Sequence, residues 1–466
     1  METNVRGEGQ RARPRQPGLV PLALAQFICS FAGSNMNVMI NDIGRDLNTT
    51  VQGVQIAITT FLLVMAALMI PGGKLSDRYG RKRCFTVGLI LYGIGALLSA
   101  VTPGLGVLIL GYSIFQGVGT ALLIPPVYIL TTLLFTEVTS RARAFGLISA
   151  LGGVGAAMGP LVGGLITAAF GWRWAFVFQA LIVATIIWLS RRVADPLAPD
   201  PTRPFDTGGA ALSAIGLILV VMGILAADDN GWLMIGLIVA GALVLLLFFW
   251  TVRAKERAGK DPLLPTALFR NRTSNLGLVT QNTQWLLLMG VSFVVSAYLQ
   301  VVRGYNAIET GVIFTAITAG LLVSSLAAER LAKRRAQRTL IMAGFIITIA
   351  GIGALLAMVI GSPNVWAFAP GLLLIGLGLG LMLTPSVNVV QSSFGEDLQG
   401  EISGLSRSIS NLGSSLGTAI AGTVLVAGLT ATPERSYGLA MIVLATFGAV
   451  GLVAATFLPR TVTVAP

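Results

Sequence analysis

No histidine occurs among the 466 residues. This removes the commonest metal ligand and the side chain best suited to shuttling protons near neutral pH. Only two cysteines are present, Cys29 and Cys84, too few for a disulfide framework and without metal-ligand spacing. Charge is scarce as well. Asp, Glu, Lys and Arg make up 11% of the chain against 55% hydrophobic residues, whereas a soluble domain carries about 25% charged residues. There is no phosphate-binding loop, metal cluster or nucleophile–base pairing. These absences exclude an ordinary water-soluble fold and give no reason to expect an enzyme, a cofactor or a bound metal.

What the chain has instead is long apolar runs, with a mean hydropathy of +0.83. Spans of about 20 apolar residues cross a bilayer as helices, because hydrocarbon forces every backbone polar group to be satisfied internally. Fourteen spans are predicted, near 18–41, 53–73, 84–102, 104–134, 144–170, 173–190, 208–227, 231–252, 273–300, 309–328, 339–360, 364–386, 402–428 and 438–458. The runs are continuous and not alternating, which points to helices and not to a barrel. Arg11, Arg13 and Arg15 precede the first span, but it is too long for a signal-peptide core and is read as a retained helix.

Charge then sets the expected orientation. Of 31 Lys and Arg, only Arg45, Arg173, Arg303 and Arg435 fall outside when both termini are placed in the cytoplasm. The others, including Arg141, Arg143 and Arg407, are assigned to cytoplasmic loops, as the positive-inside rule requires. The net charge of +12 is therefore a topological signal, and nucleic acid is not an expected partner. The expected domains are a cytoplasmic tail (1–17), a six-helix bundle (18–192), a linker with a two-helix hairpin closed by Asp228-Asp229-Asn230-Gly231 (193–272), a second six-helix bundle (273–459) and a second tail (460–466).

Between spans 2 and 3 lies Gly73-Lys74-Leu75-Ser76-Asp77-Arg78-Tyr79-Gly80-Arg81-Lys82-Arg83. Gly73 permits a close helix approach, Gly80 permits a tight turn, and Asp77 can sit at a helix N-terminus, where the dipole favours an anion. Between spans 10 and 11 the same spacing recurs as Ser325, Glu329-Arg330 and Lys333-Arg334, with Ala332 at the turn. The two six-helix blocks therefore read as a degenerate repeat with a site between them. Span 5 carries Gly146, Gly155, Gly159-Pro160 and Gly163-Gly164. Glycines four apart leave a groove for a neighbouring helix, and Pro160 bends its own.

The 73–83 loop resembles the signature loop of the major facilitator superfamily, and the span 5 pattern resembles that of its proton-exchanging exporters. Gly171-Trp172-Arg173-Trp174, Tyr298-Leu299-Gln300 and the run from Gly404-Leu405-Ser406-Arg407 to Gly413-Ser414-Ser415-Leu416-Gly417 are similar to segments of the fourteen-helix drug:proton antiporter family. The resemblance covers about residues 18–458. It implies an all-α major facilitator fold of two six-helix bundles plus an inserted hairpin. It also implies a latch made of Gly73, Asp77, Arg78, Gly80, Arg81 and Lys82 that joins the bundles when the cavity faces outward.

Two positions depart from that family. An acid is expected five residues before Asn37-Val38, where Ala32 stands, and an arginine three residues before Gln116-Gly117, where Ser113 stands. None of the 19 acids falls in the middle third of a predicted span, although buried membrane charges are usually kept for function. Neutral polar residues remain, among them Gln26 and Ser30. Asn35, Asn37, Gln116, Gln284, Gln300 and Asn388 are the expected cavity lining, suited to neutral, zwitterionic or amphiphilic cargo.

The expected function is secondary active export of small amphipathic compounds by alternating access in the bacterial cytoplasmic membrane, by a monomer in contact with lipid. Proton antiport would then use rim acids: Asp42, Asp77 or Glu309. The alternatives are an uncoupled flippase or facilitator for lipid-like or neutral molecules, and a sensor or scaffold that kept the fold.

Overall fold

The computed structural model describes residues 18–459 except 136, 192, 194, 196, 197, 203, 228, 229, 333–335, 361, 363, 396 and 397. Fourteen helices among the described residues are long and apolar enough to cross a membrane. They are α1 (Leu19–Asp46), α2 (Val51–Tyr79), α3 (Arg81–Ala100), α4 (Leu105–Leu134), α5 (Val138–Phe170), α6 (Arg173–Ser190) and α7 (Thr207–Leu225). The remainder are α8 (Gly231–Arg257), α9 (Arg272–Val302), α10 (Ala307–Ala332), α11 (Gln337–Val359), α12 (Val365–Gln391), α13 (Gln399–Val426) and α14 (Pro433–Thr456). We call the face carrying residues 74–83 inner and the face carrying 171–174 outer.

Each predicted span coincides with a helix, and several boundaries differ. α2 runs on from residue 73 to Tyr79, so most of the expected 73–83 loop is helical and Asp77 lies in the last turn of α2, not at a helix N-terminus; Gly80 is the break before α3. α1 continues past residue 41 because a 3₁₀ turn at Met36–Met39 redirects the chain into Ile40–Asp46. α5 starts at Val138, so Arg141 and Arg143 lie in its first turns and not in a loop. Arg407, counted with the inner charges although it falls within predicted span 402–428, stands inside α13. The acidic turn Asp228-Asp229, the basic pair Lys333-Arg334 and both tails lie outside the described residues.

The packing carries the repeat further than the loop spacing did. α1 packs on α5, α2 on α4, α3 on α4 and α3 on α6; in the second half α9 packs on α13, α10 on α12, α11 on α12 and α11 on α14. Each pair has its counterpart eight helices later. The contacts between halves obey the same exchange, α5 with α10 and α2 with α13. Membrane helices gain little from excluding lipid, so small residues that let backbones touch decide which pairs form. A Cβ on Gly72 would lie 2.3 Å from the Ala121 carbonyl oxygen of α4, and one on Gly95 would lie 2.4 Å from that of Gly111.

The hairpin α7–α8 is inserted between the two halves. α7 lies over the α2–α13 seam, where Leu63, Val221, Leu225 and Ala419 form one cluster. α8 leaves Trp232, Leu243, Leu246 and Trp250 exposed, as a lipid-facing helix would. At the inner face Phe248 and Val252 of α8 pack with Leu263, Leu264 and Leu268 of the next connection and with Ile402 and Leu405 of α13. Asp206 fixes this corner. It accepts from the Gly209 amide at the start of α7, from the Leu263 amide at 3.1 Å and from the Lys255 ammonium. Burial raises its pKa, but the Lys255 ammonium and the two amides outweigh burial and hold the carboxyl below its ordinary range.

Candidate functional site

At the outer face the two halves are sealed where their first helices are distorted. α1 has its 3₁₀ turn at Met36–Met39, and the corresponding helix α9 widens into π geometry at Tyr298–Val302. Both distortions disturb the regular backbone hydrogen-bond ladder, and such breaks recur at functional positions. Gln300 uses this. Its Nε2 donates to the Asn37 carbonyl at 2.7 Å, and its Oε1 accepts from the Asn41 amide at 3.1 Å. One side chain thus bridges the two halves through backbone groups of α1.

The glycines of α5 present two faces. Cβ atoms on Gly155 and Gly159 would lie 2.3 Å from the Phe27 carbonyl oxygen and 1.9 Å from Ser34 Oγ, and one on Gly163 would lie 3.0 Å from Asn35 Cβ. That face welds α5 to α1. The other face meets the second half. A Cβ on Gly164 would lie 2.4 Å from the Ala307 carbonyl oxygen, and one on Gly311 would lie 2.4 Å from the Pro160 carbonyl oxygen. Gly146, nearer the inner face, meets nothing within 4 Å. Ser149 and Ala150 of α5 and Leu322 and Leu326 of α10 are exposed. Among the described residues, the glycine contacts between α5 and α10 lie in the outer part, and none joins their inner parts.

The α2–α13 seam is closed along its length. Gln55 Nε2 donates to the Thr418 and Ala419 carbonyls, Ser415 Oγ to the Thr59 carbonyl and Ser408 Oγ to the Ala66 carbonyl. Still nearer the inner face, a Cβ on Gly404 would touch Ile70 Cγ1 at 3.9 Å.

In the signature loop, Gly80 has φ +96°, the conformation that favours glycine, between the end of α2 and the start of α3. Asp77 Oδ1 accepts from Arg81 Nη2 at 2.8 Å, one turn on. The first turn of α3 takes another acid: the Lys82 amide donates to Asp195 Oδ2 at 3.1 Å. The Arg78 guanidinium lies over the Tyr79 ring at 5.6 Å. The close approach of α2 to α4 falls one residue before Gly73, at Gly72; a Cβ on Gly73 would make an ordinary 3.6 Å contact with Pro125. Lys74 Nζ donates to the Pro262 carbonyl at 2.9 Å and ties the loop to the α8–α9 connection. In the second copy of the motif, the side chains of Glu329, Arg330 and Ala332 and all of Lys333-Arg334 lie outside the described parts.

The six amides expected to line a cavity separate into groups. Gln300 and Asn37 belong to the outer seal. Gln284 donates to the Leu379 carbonyl at 3.2 Å and accepts from Ser386 Oγ at 3.1 Å, tying α9 to α12. Asn35 and Gln116 are fully buried, and neither side-chain amide has a hydrogen-bond partner. Only Asn388 is half-exposed. The two positions that depart from the family pattern are closed in packing: Ala32 is buried, its carbonyl accepting from Tyr112 Oη at 3.2 Å, and Ser113 Oγ donates to the Ala57 carbonyl at 2.7 Å.

On the inner side the two halves meet through groups the sequence pattern did not single out as a set. Tyr128 of α4 donates to Gln26 Oε1 at 3.2 Å, and Gln26 Nε2 donates to Ser30 Oγ at 3.2 Å, both on α1. Phe145 of α5 stacks on Tyr128, with ring centroids 5.9 Å apart. From the other half, the Arg407 guanidinium lies 4.0 Å from the centroid of the Tyr128 ring. A cation within predicted span 402–428 was the available signal.

Of the rim acids, Glu309 accepts from the Asn306 amide at 2.9 Å while Asn306 Oδ1 accepts from the Glu309 amide at 2.9 Å. This reciprocal cap starts α10. Asp42 is half-buried beside Asn41 at the outer seal. Asp46 accepts from Trp172 Nε1 at 3.0 Å and pairs with Arg173. This contact makes the Gly171-Trp172-Arg173-Trp174 turn a clamp on the end of α1.

Among the described residues no three His, Cys, Asp or Glu side chains are grouped to hold a metal ion. Comparison with known proteins gives a consistent picture. The chain is 32% identical over 427 residues to the puromycin resistance protein of Streptomyces alboniger, covering 90% of this chain and 84% of that protein. It is 30% identical over 466 residues to the cephamycin export protein of Amycolatopsis lactamdurans, covering 96% and 94%. A crystal structure of a peptide transporter in complex with sulfate superposes with TM-score 0.70 at 18% identity, covering 97% of this chain and 96% of that one, which speaks to the fold alone. A sequence model of the Major Facilitator Superfamily matches residues 22–251 and 205–418, and the chain belongs to that superfamily of membrane transporters.

Proposed function

We propose that this transporter exports small amphipathic compounds across the bacterial cytoplasmic membrane as a monomer in contact with lipid, by alternating access driven by proton antiport. One observation carries the reading. The outer part is welded by Gln300 on Asn37 and by Gly164 on Ala307, while no glycine contact joins the inner parts of α5 and α10 among the described residues and Gly146 there meets nothing within 4 Å. This is the arrangement of a carrier waiting for cargo from the inner side. The names of the puromycin resistance and cephamycin export relatives support outward transport of such compounds.

Coupling needs an acid that sees the outer side when the seal opens. Asp42 fits best of the three rim acids, because it adjoins the Asn41 amide that Gln300 holds. Glu309 is engaged in capping α10 and Asp77 faces Arg81. The second reading, an uncoupled facilitator or flippase, is favoured by one feature: no acid lies in the middle of a span.

Everted vesicles carrying the protein decide between the two. Antiport predicts alkalinisation of the vesicle lumen when cargo is added, and loss of that signal in Asp42→Asn. Cargo movement with no pH change, unaltered by Asp42→Asn, would support the uncoupled reading and sink antiport.

A further inference from the structure

We propose that Arg407 makes the inner vestibule a site for amphiphiles that carry an acidic group. This rests on the exporter reading above and names the cargo class of its inner site. Arg407 stands eight residues after Gln399, roughly 12 Å along α13 from its start. An ionisable residue inside a membrane helix is seldom retained without a use. Its neighbours fix its direction. Ser406 Oγ donates to Gln281 Oε1 at 2.9 Å within the second half, and Ser408 Oγ donates to the Ala66 carbonyl of α2. Arg407, between them, reaches α4 across the space between the halves.

Its partner there is a ring and not a carboxylate. No acid pairs with Arg407 among the described residues. Tyr128 lies against the guanidinium. A ring covers a face of the planar group, and the N–H donors around its edge can form the paired bonds that a carboxylate or sulfonate accepts. The wall beside it suits the rest of an amphiphile: Tyr128 and Phe145 give a stacked aromatic surface, and Gln26 with Ser30 gives a short polar row. Arg407 is half-buried and so reachable from the vestibule. The Arg407 guanidinium brings a positive charge to this wall, and no acid pairs with it among the described residues. That sign repels cations and attracts anions.

The test compares two dyes that differ chiefly by one sulfonate, 8-anilinonaphthalene-1-sulfonate and the neutral N-phenyl-1-naphthylamine. Their extrusion is followed in energised everted vesicles holding equal amounts of each variant. Arg407→Gln is expected to slow the anionic dye about tenfold and to leave the neutral dye within about twofold. Arg407→Lys keeps the charge but not the planar fork. It is expected to lie between, and it decides the matter if Arg407→Gln does not accumulate. Equal loss of both dyes in either variant, or no loss of the anionic dye, overturns the proposal. A wild-type protein that extrudes only the neutral dye also overturns it and leaves the exporter reading standing. A wild-type protein that extrudes neither dye, with cargo flux absent as well, fails the exporter reading itself.

Discussion

Two seams join the halves of this molecule, and they are built from different materials. The α2–α13 seam is a ladder of side-chain hydrogen bonds onto backbone carbonyls, from Gln55 toward the outer face to Ser408 toward the inner face, with α7 laid over it. The α5–α10 seam relies on glycine and on backbone touching backbone, and it ends partway, with Gly146 facing open space. Polar side chains can hold two helices over a range of separations. A glycine contact of this kind holds at one separation or not at all, because its energy is van der Waals contact that fades within an ångström. Under the proposed alternating access, the first seam would serve as a pivot line and the second as a gate.

The largest effect should come from breaking the gate's contact. Gly164→Val places side-chain atoms where the Ala307 carbonyl sits and should lower transport by about tenfold or more, measured as cargo flux in vesicles. Next, Ser149 and Leu322 are expected to approach when the inner gate closes. In a background with Cys29 and Cys84 replaced by serine, linking Ser149→Cys to Leu322→Cys should stop transport. Linking Ala66→Cys to Ser408→Cys should leave much of it. Equal inhibition by both links would remove the distinction between gate and pivot.

Smaller effects are expected on stability. Asp206→Ala loses the start of α7 and the Lys255 partner, and should cost about 1–2 kcal/mol in detergent unfolding. Because Asp206 has a lowered pKa in the folded protein, its contribution is complete above the ordinary carboxylate pKa. It fades as pH falls through the folded value. The difference between wild type and variant should therefore stay constant from neutral pH down to about 5 and shrink in stronger acid. Gln55→Leu removes one rung of the ladder and should cost about 0.6–1 kcal/mol, enough to loosen the pivot without opening the gate.

Much of this was legible in the chain, and the parts that were not share a cause. Apolar length and the charges between spans marked every helix, because the bilayer imposes its thickness and its charge rule locally, residue by residue. The span 5 glycines pointed to close packing for the same local reason. The amides were harder. Gln284 and Gln300 have the same composition signal as a cavity lining, yet they bind carbonyls of other helices, and Asn37 enters the outer seal through its backbone carbonyl; only the partner's position reveals that. Arg407 falls within predicted span 402–428 although the charge rule counts it with the loops, and its partner Tyr128 is visible only in the packing.

The sequence by itself determined that this chain lives in a membrane as fourteen helices, in two related sets of six with a hairpin between them. Each helix satisfies its own backbone, so helix formation needs no distant partner. The tertiary structure decided which faces meet. It placed Gln300 on the backbone of α1, laid α7 over one seam and kept the glycine contacts of the other to its outer part, and turned Arg407 toward Tyr128. Those choices depend on close contacts between segments hundreds of residues apart, and a linear pattern carries no record of distance.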